Sequence, residues 1–504
     1  MTDRSPNWHI ALAVTAVVVA AAAIGVLVQF ALTRPLCCAD DASFAVVSKN
    51  LANGLGYLLT LKYYGTDFSG SFFDPQMGTG PTSVVPVAVA IWVFGAQPAV
   101  PGLTHIALSV VLLAIVVFFS LRGSRPASRS VVLILFVLLA AGTSAYHLEQ
   151  WYAQLGEVLA ALLICAGAAV WAFGRREGLA CVVCGAAFGL AVLSKHLAVL
   201  YFIGPALVLA GQVLRQRGDR EALRRTVLQS LAFGAAAAAP IAAAELWKVA
   251  ILGTGGWLQN WREFLEFLKH QGLASARPAT QIELLLERAG TSSERFGIGP
   301  WVFVVSAVAL MASLARMEEG NRKFALVLLA GLLANVAYWV FASNGWPRYV
   351  FIAIVVYCFL LSYALVTTRS SLSRTVLCAC VAFILVAGLP RLSFQRQLLD
   401  EASSPAHSPI RSAKLMTAEI QAAAPRGPVY TQWWAHVAAL EYLAPTPGRF
   451  RGYGGPASSQ QPVDLIVTNK SYLNEADQAF AALLARCPTL IASHPPYSLF
   501  RCTP

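Results

Sequence analysis

The chain reads as a succession of about eleven apolar runs, each long enough to cross a bilayer as a helix, with arginines clustered in every second connection. This alternation constrains the fold more than any motif. A helix in hydrocarbon satisfies its own backbone hydrogen bonds, so such a chain folds as a bundle of membrane helices. Only 12% of the 504 residues are charged and 57% are hydrophobic, whereas a soluble chain carries about 25% charged residues. Mean hydropathy is +0.62. The formal net charge of +12 would suggest a nucleic-acid partner in a soluble protein. Here most of the arginines sit in short inter-span loops, with no basic and aromatic array, so no nucleic acid is expected.

Run length and basic residues place spans at about 8–32, 103–121, 130–146, 153–173, 178–194, 197–214, 227–251, 299–315, 324–342, 349–367 and 375–390. The first run exceeds the roughly 7–15-residue core of a signal peptide, and no small-x-small site follows it, so it reads as an uncleaved span. With a cytoplasmic N-terminus every basic cluster falls inside. The expectation is a multi-pass protein of the inner (cytoplasmic) membrane. Residues 1–390 form its membrane domain, with outer segments at 33–102 and 252–298, and residues 391–504 form a small extracytoplasmic α/β domain. Val84 to Gly95 is too short to cross comfortably and reads as an interfacial helix, as does Trp257 to His270. In the last domain, Val429–Gln432, Leu465–Thr468 and Leu490–Ser493 read as strands, and Ser412–Ala423 and Asn474–Arg486 as helices. Cys487 and Cys502 can pair as a disulfide there if the domain is exported. The CxxC of Cys181 and Cys184 lies in an apolar run and reads as buried small hydrophobes.

The outer segments hold the candidate chemistry. Asp40 and Asp41 follow the first span, in Cys37-Cys38-Ala39-Asp40-Asp41-Ala42. One carboxylate is explained as a cap on the following helix. Two adjacent carboxylates repel, which raises one pKa or draws a cation between them, and a poised carboxylate can take a proton from a hydroxyl. The pair offers a seat for a divalent cation such as magnesium or manganese, but nothing in the sequence requires a cofactor. Lys195 at one hairpin tip and Arg348 at another lie on the side that positive-inside loops avoid. The plain alternative is snorkelling; an anionic ligand such as a phosphate gives a stronger reason. Glu149, Gln150, Trp151, Tyr152, Gln154 and Glu157 open the fourth span, and Glu157 within it costs about 2.5–3.5 kcal/mol unless it faces a polar cavity or a partner. Glu245 and Lys248, one turn apart, can pair with each other. No nucleotide loop is evident, so an activated donor must come by another route, such as a lipid carrier.

The order of these features resembles the polytopic GT-C glycosyltransferases, in the branch with the protein O-mannosyltransferases and the lipid A aminoarabinose transferase. The matching pieces are Asp40-Asp41-Ala42 with a following aromatic, Leu51-Ala52-x-Gly54, Gly56-Tyr57, and Phe73-Asp74-Pro75 leading to Gly80-Pro81-Thr82. Lys195 at the fifth-to-sixth hairpin and Arg348-Tyr349 opening a late span match as well. The resemblance implies a GT-C-like helical polytopic fold and an inverting transfer outside the membrane, from a polyprenyl-phosphate sugar to a lipid, glycan or protein hydroxyl. It implies Asp41 or Asp40 as base, without deciding between them, and Lys195 and Arg348 on the donor phosphate. Glu149, Glu157, Tyr152, Asp74 and Tyr349 become weaker substrate-binding candidates. Many relatives carry an aspartate near the start of the fourth span, where this chain has only Glu149 and Glu157. The reading from another class is a transporter or flippase of a lipid-linked or anionic solute, which places its ionisable residues near mid-membrane.

Overall fold

The computed structural model describes residues 8–60, 71–75, 77–122, 126–269, 280–403, 409–432, 437–453, 463–471 and 478–502. Helix α1 (Trp8–Thr33) leads into α2 (Ala39–Ala52), a two-stranded ribbon of β1 (Leu58–Leu59) and β2 (Ser71–Phe72), and α3 (Pro81–Phe94). The bundle continues with α4 (Val100–Ser120), α5 (Pro126–Thr143), the single turn α6 (Glu149–Tyr152), α7 (Glu157–Phe173), α8 (Glu177–Ser194) and α9 (Ile203–Arg215). It closes with α10 (Arg220–Phe267), α11 (Gln281–Thr291), α12 (Pro300–Leu314), α13 (Glu319–Phe341), α14 (Phe351–Thr367) and α15 (Ser371–Ser403).

Among the described residues nine helices are long and apolar enough to cross a membrane, or ten if α11 and α12, bent by 89°, count as one span. The remaining expected span is α7, which at 17 residues reaches only about 26 Å. Its length fits its position: α7 lies among α4, α8, α13 and α14, with nearly every side chain buried, so protein rather than lipid surrounds it. Helix α3, 14 residues long, packs on α2 and α4 and is short, as expected.

The seventh span reaches its expected end near residue 251: the chain turns at Gly253 (φ +66°), and a second helical piece follows. The indoles of Trp257 and Trp261 both donate to Glu245 Oε2, at 2.7 and 2.9 Å. In a straight helix these residues would stand about 18–24 Å from Glu245, so the segment folds back sharply, and only Gly tolerates that φ without strain. Trp257 and Trp261 therefore aim their indole N–H groups at Glu245. The helix of the last expected span continues past 390 to Ser403, so residue 391, the expected start of the C-terminal domain, lies within a helix.

The two ends of the bundle differ in chemistry. At one end the basic loops meet. Lys323 lies over the Trp171 ring, 3.9 Å from its centroid, Arg316 reaches Ser370 at 3.4 Å, and Arg369 pairs with Glu318. At the other end lie α2, α3, the 147–157 segment, and the tips carrying Lys195 and Arg348, and the C-terminal domain packs on α2.

That domain contains α16 (Pro409–Ala422), β3 (Val429–Thr431), α17 (Ala438–Leu443), β4 (Phe450–Gly452), β5 (Leu465–Asn469), α18 (Gln478–Ala485), β6 (Thr489–His494) and β7 (Tyr497–Arg501). Its sheet has the order β4-β3-β5-β7-β6, parallel through β4, β3 and β5 and antiparallel beyond. The three expected strands are present; β4, β7 and α17 were not anticipated. Part of the expected 474–486 helix lies outside the described residues. Cys487 and Cys502 are bonded as a disulfide.

The domain shares one apolar core with the outer elements: Phe44 and Val47 of α2 belong with Met416, Ile420, Leu440 and Leu465. A buried lysine adds direction to that contact. Lys49 Nζ donates to the carbonyl oxygens of Tyr442 (2.7 Å) and Ala444 (2.5 Å), at the C-terminus of α17, where the helix dipole favours a cation. Glu441 Oε1 accepts from Thr60 Oγ1 at 2.8 Å and from Gly448 N at 2.6 Å. Lys49→Met removes the donor and leaves buried carbonyls unpaired, a loss of about 2–3 kcal/mol. The expected outcome is faster protease cleavage within residues 409–502 of the purified protein, with the helical circular-dichroism signal unchanged.

Candidate active site

The site is built from the N-terminus of α2 outward. The helix begins at Ala39, with Cys38 in the N-cap position and no side-chain cap from Cys38. Asp40 and Asp41 thus lie in the first turn, where the dipole favours anions, and not before it as the sequence suggested. Successive residues on a helix diverge by about 100°, and the two carboxylates go separate ways.

Asp41 turns inward and is 2% exposed. Its Oδ2 accepts from Cys37 N at 3.0 Å, and its Oδ1 accepts from Gln154 N at 2.8 Å. Burial pushes its carboxyl up to about 6, against the two N–H donors, while the charge of Asp40 adds in the same direction as burial. The rise anticipated from like-charge repulsion thus has burial as its main cause. Asp40 turns toward Arg348 and forms an ion pair with it, with both side chains partly open (21% and 29%).

A second ion pair lies beside the first. Lys195, just past the end of α8, meets Glu157, the first residue of α7, at 2.8 Å, with side-chain exposures of 8% and 1%. Gly156 makes this approach possible. It has φ +88°, and a Cβ there would stand 2.7 Å from Ser194 O. Lys195 Nζ also donates to Leu155 O at 3.3 Å, an acceptor shared with Thr79 Oγ1 at 2.6 Å. Thr79 and Lys195 form an antiparallel bridge, which fastens the 77–81 segment to the hairpin tip. Both Asp40 and Glu157 act electrostatically on Arg348 and on Tyr349, so the two ion pairs belong to one cluster. The Arg348 guanidinium lies 4.5 Å from the Trp346 ring centroid and 5.7 Å from that of Tyr349.

Three candidates stand apart from this cluster. Tyr152 is buried and its ring stacks on Phe30 at 5.8 Å, a packing role against α1. Glu149 lies 3.4 Å from His147. Asp74 lines a neighbouring cleft of about 140 Å³ with Tyr57, His196, Lys248, Trp261 and Phe264. The cleft shares Thr79 and the 192–196 tip with the ion-pair cluster. Its far wall comes from the fold-back of α10. There Glu245 pairs with Lys248 at 2.8 Å, and Asn260 Nδ2 donates to Phe73 O at 2.7 Å. Sequence reasoning gave no role to His196, Lys248 or Asn260. The signal present was the Gly253-Thr254-Gly255-Gly256 run, which marks the turn that aims the tryptophans at Glu245.

Among the described residues no three His, Cys, Asp or Glu side chains gather as a metal site would require. The oxygens of Asp41 accept backbone N–H groups, and Asp40 faces a guanidinium. In this arrangement the two adjacent carboxylates engage different partners.

Glu157→Gln leaves Lys195 as an unpaired buried cation, a loss of about 3–5 kcal/mol. Adding Lys195→Met to that variant is expected to restore most of the melting temperature in detergent. Asp41 gives a pH signature. Its carboxyl rises from 3.8 to about 6 on folding, so the folded chain holds a proton that the unfolded chain releases across that window. The group favours folding at the acid end, and this contribution is lost as pH rises through about 6. Asp41→Asn is expected to flatten the dependence of melting temperature on pH over that window.

No family model and no curated protein matches the sequence. Solved structures do match the fold. The chain is similar to ArnT from Cupriavidus metallidurans bound to undecaprenyl phosphate, with a TM-score of 0.62 and 15% identity over 98% of each chain. The apo form of that protein gives a TM-score of 0.57 and 14% identity, covering 97% of this chain and 98% of the other. The archaeal oligosaccharyltransferase AglB from Archaeoglobus fulgidus, in complex with an inhibitory peptide and a dolichol-phosphate, gives 0.50 and 14%, covering 92% of this chain and 69% of AglB. The chain, a polytopic helical bundle with a small C-terminal α/β domain, shares the overall fold of ArnT.

Proposed function

We propose that this chain is a membrane glycosyltransferase that moves a sugar from a polyprenyl-phosphate donor to an acceptor hydroxyl on the extracytoplasmic face, with inversion. The observation that carries the reading is the pairing of Asp40 with Arg348 beside Lys195 and Glu157, in a fold shared with proteins bound to lipid phosphates. The acceptor class spans envelope glycolipids, glycans and proteins.

In this reading the donor phosphate competes with Asp40 for the Arg348 guanidinium and draws on Lys195, whose ammonium already lies in the cluster. Arginine suits this role because its planar fork binds phosphate oxygens in pairs. Once Arg348 turns to the phosphate, Asp40 is released as a base. It takes the proton of the acceptor hydroxyl as that oxygen bonds to the anomeric carbon, and the bond from that carbon to the phosphate oxygen breaks on the opposite side. The leaving polyprenyl phosphate carries the developing charge, which the two cations offset. Asp41 acts as a positioning residue that holds the first turn of α2 against Gln154. Tyr349 steadies Arg348 through its ring. The neighbouring cleft, with Phe264 and Ile241 on one wall, gives the carrier chain an apolar path to the cluster. The basic loops at the opposite end of the bundle support a cytoplasmic N-terminus and an outer C-terminal domain.

A transporter or flippase would place ionisable groups along a path through the bundle. In this chain the buried ion pairs gather at one end, which favours the transferase. The test is transfer from a synthetic polyprenyl-phosphate sugar by folded, purified protein. Asp40→Asn is expected to slow turnover by about 10²–10⁴-fold with the donor KM little changed, whereas Arg348→Met raises that KM. Full turnover by Asp40→Asn would remove the base assignment. Activity with lipid-diphosphate donors alone would replace the donor class.

A further inference from the structure

The turn before α2 holds two thiols that the proposed chemistry does not use. Cys37 and Cys38 are adjacent in sequence, partly buried, and their sulfurs lie 2.9 Å apart, against about 2.05 Å for a formed disulfide. Side chains of neighbouring residues usually diverge. Here the chain is bent just upstream by Leu36, which has φ +57°, a left-handed conformation uncommon for a non-glycine residue. Cys38 then enters the helix in an extended conformation, φ −155° and ψ 171°. The other free cysteines among the described residues all lie in membrane helices.

Two further observations give the pair a meaning. It lies at the same end of the bundle as the Cys487–Cys502 disulfide, in a domain packed directly on α2, and disulfides persist in oxidising compartments. It also touches the acids. Cys37 N and the Cys37 thiol both donate to Asp41, and Asp40 follows Cys38 by two residues. Burial and the negative charges of Asp41 and Glu149 push the Cys37 thiol up, which disfavours the paired thiolates that a bound metal would need.

We propose that Cys37 and Cys38 are a redox modification site, an adjacent thiol pair that closes into a disulfide and, by reshaping the turn that carries Asp40, turns transfer down. The oxidant is a disulfide compound or a disulfide-bearing oxidoreductase. The Cys38 thiolate attacks it and forms a mixed disulfide, and Cys37 displaces the second sulfur. Two protons and two electrons leave the pair, and the oxidant is reduced to two thiols. Closure removes the Cys37 S–H donor from Asp41 and tightens the chain immediately before the helix. The effect on activity rests on the transferase reading; the ring itself does not.

The test uses the full chain in detergent, incubated with oxidised glutathione or with dithiothreitol, then quenched in acid, alkylated and digested. After reduction the peptide containing Cys37 and Cys38 is expected to carry two alkyl groups. After oxidation it carries none and is lighter by two hydrogens, and in Cys38→Ser this closed form is absent. In parallel, oxidation of the wild type is expected to lower transfer about tenfold or more, because small displacements of a catalytic group have effects of that size. Dithiothreitol restores it, and the Cys37→Ser/Cys38→Ser variant is unaffected by either reagent. Full alkylation after oxidation, with Cys487–Cys502 still closed, overturns the proposal, as does stable glutathionylation without closure. A closed ring with unchanged transfer overturns the link to Asp40. A chain with no transfer under any condition counts against the functional reading, and the mass measurement still decides on the ring.

Discussion

The structure of the outer end depends on one carboxylate bonded to two stretches of backbone. Asp41 accepts the N–H of Cys37, four residues before it, and the N–H of Gln154, more than a hundred residues away. The first bond closes the turn into α2, and the second ties that turn to the segment that opens α7. Everything nearby takes its position from this knot. Asp40 can reach Arg348 because its neighbour holds the helix still. Glu157, three residues after Gln154, enters the same space and meets Lys195. The energetic cost is visible in the Asp41 carboxyl itself, which burial makes harder to ionise even though two donors favour the charged form.

One buried and one half-buried ion pair are weak support for a fold, because desolvation offsets much of the attraction. Their value here is specificity of place. Arg348 and Lys195 arrive from separate helix ends, and each finds an acid from a third and fourth element. A cluster of two anions and two cations in partly water-excluded space can rearrange when another anion arrives: the guanidinium can exchange one carboxylate for a phosphate, which frees that carboxylate. Fixed dipoles and charges of this kind act without reorganising at the moment of reaction. The neighbouring cleft, lined by aromatics and bounded by the folded-back end of α10, gives that space an apolar side.

Much of this was legible in the sequence, for physical reasons. Hydrocarbon demands long apolar runs, and loop charge separates the two ends, so the bundle and the difference between its ends followed from period and composition. Acids and bases at span ends are costly enough to attract notice, and Asp40, Asp41, Glu157, Lys195 and Arg348 were singled out on that ground. What could not be read was direction. Adjacent aspartates look equivalent in a sequence, yet a rotation of about 100° sends one to backbone amides and the other to a guanidinium. Tyr152 neighbours the acids, and its ring stacks on Phe30 of α1, a contact that the sequence does not signal. The fold-back at Gly253 was also hidden. Glycine runs signal a turn without giving its angle, and only the meeting of Trp257 and Trp261 with Glu245 reveals it. The dock between Lys49 and α17 joins parts of the chain almost four hundred residues apart, and a lysine amid an apolar helical face carries no sign of such a distant partner.

That dock bears on how such chains diversify. A membrane bundle of this kind could exchange its outer cap for another during evolution, since the two parts have separate topologies. Yet the ammonium of Lys49 sits on the helix that bears Asp40 and Asp41, and it is held by the open carbonyl end of α17 and by the nearby charge of Glu441. A graft that failed to present equivalent oxygens would strand a positive charge under the new cap, so the lysine and the helix end facing it should be inherited together or replaced together.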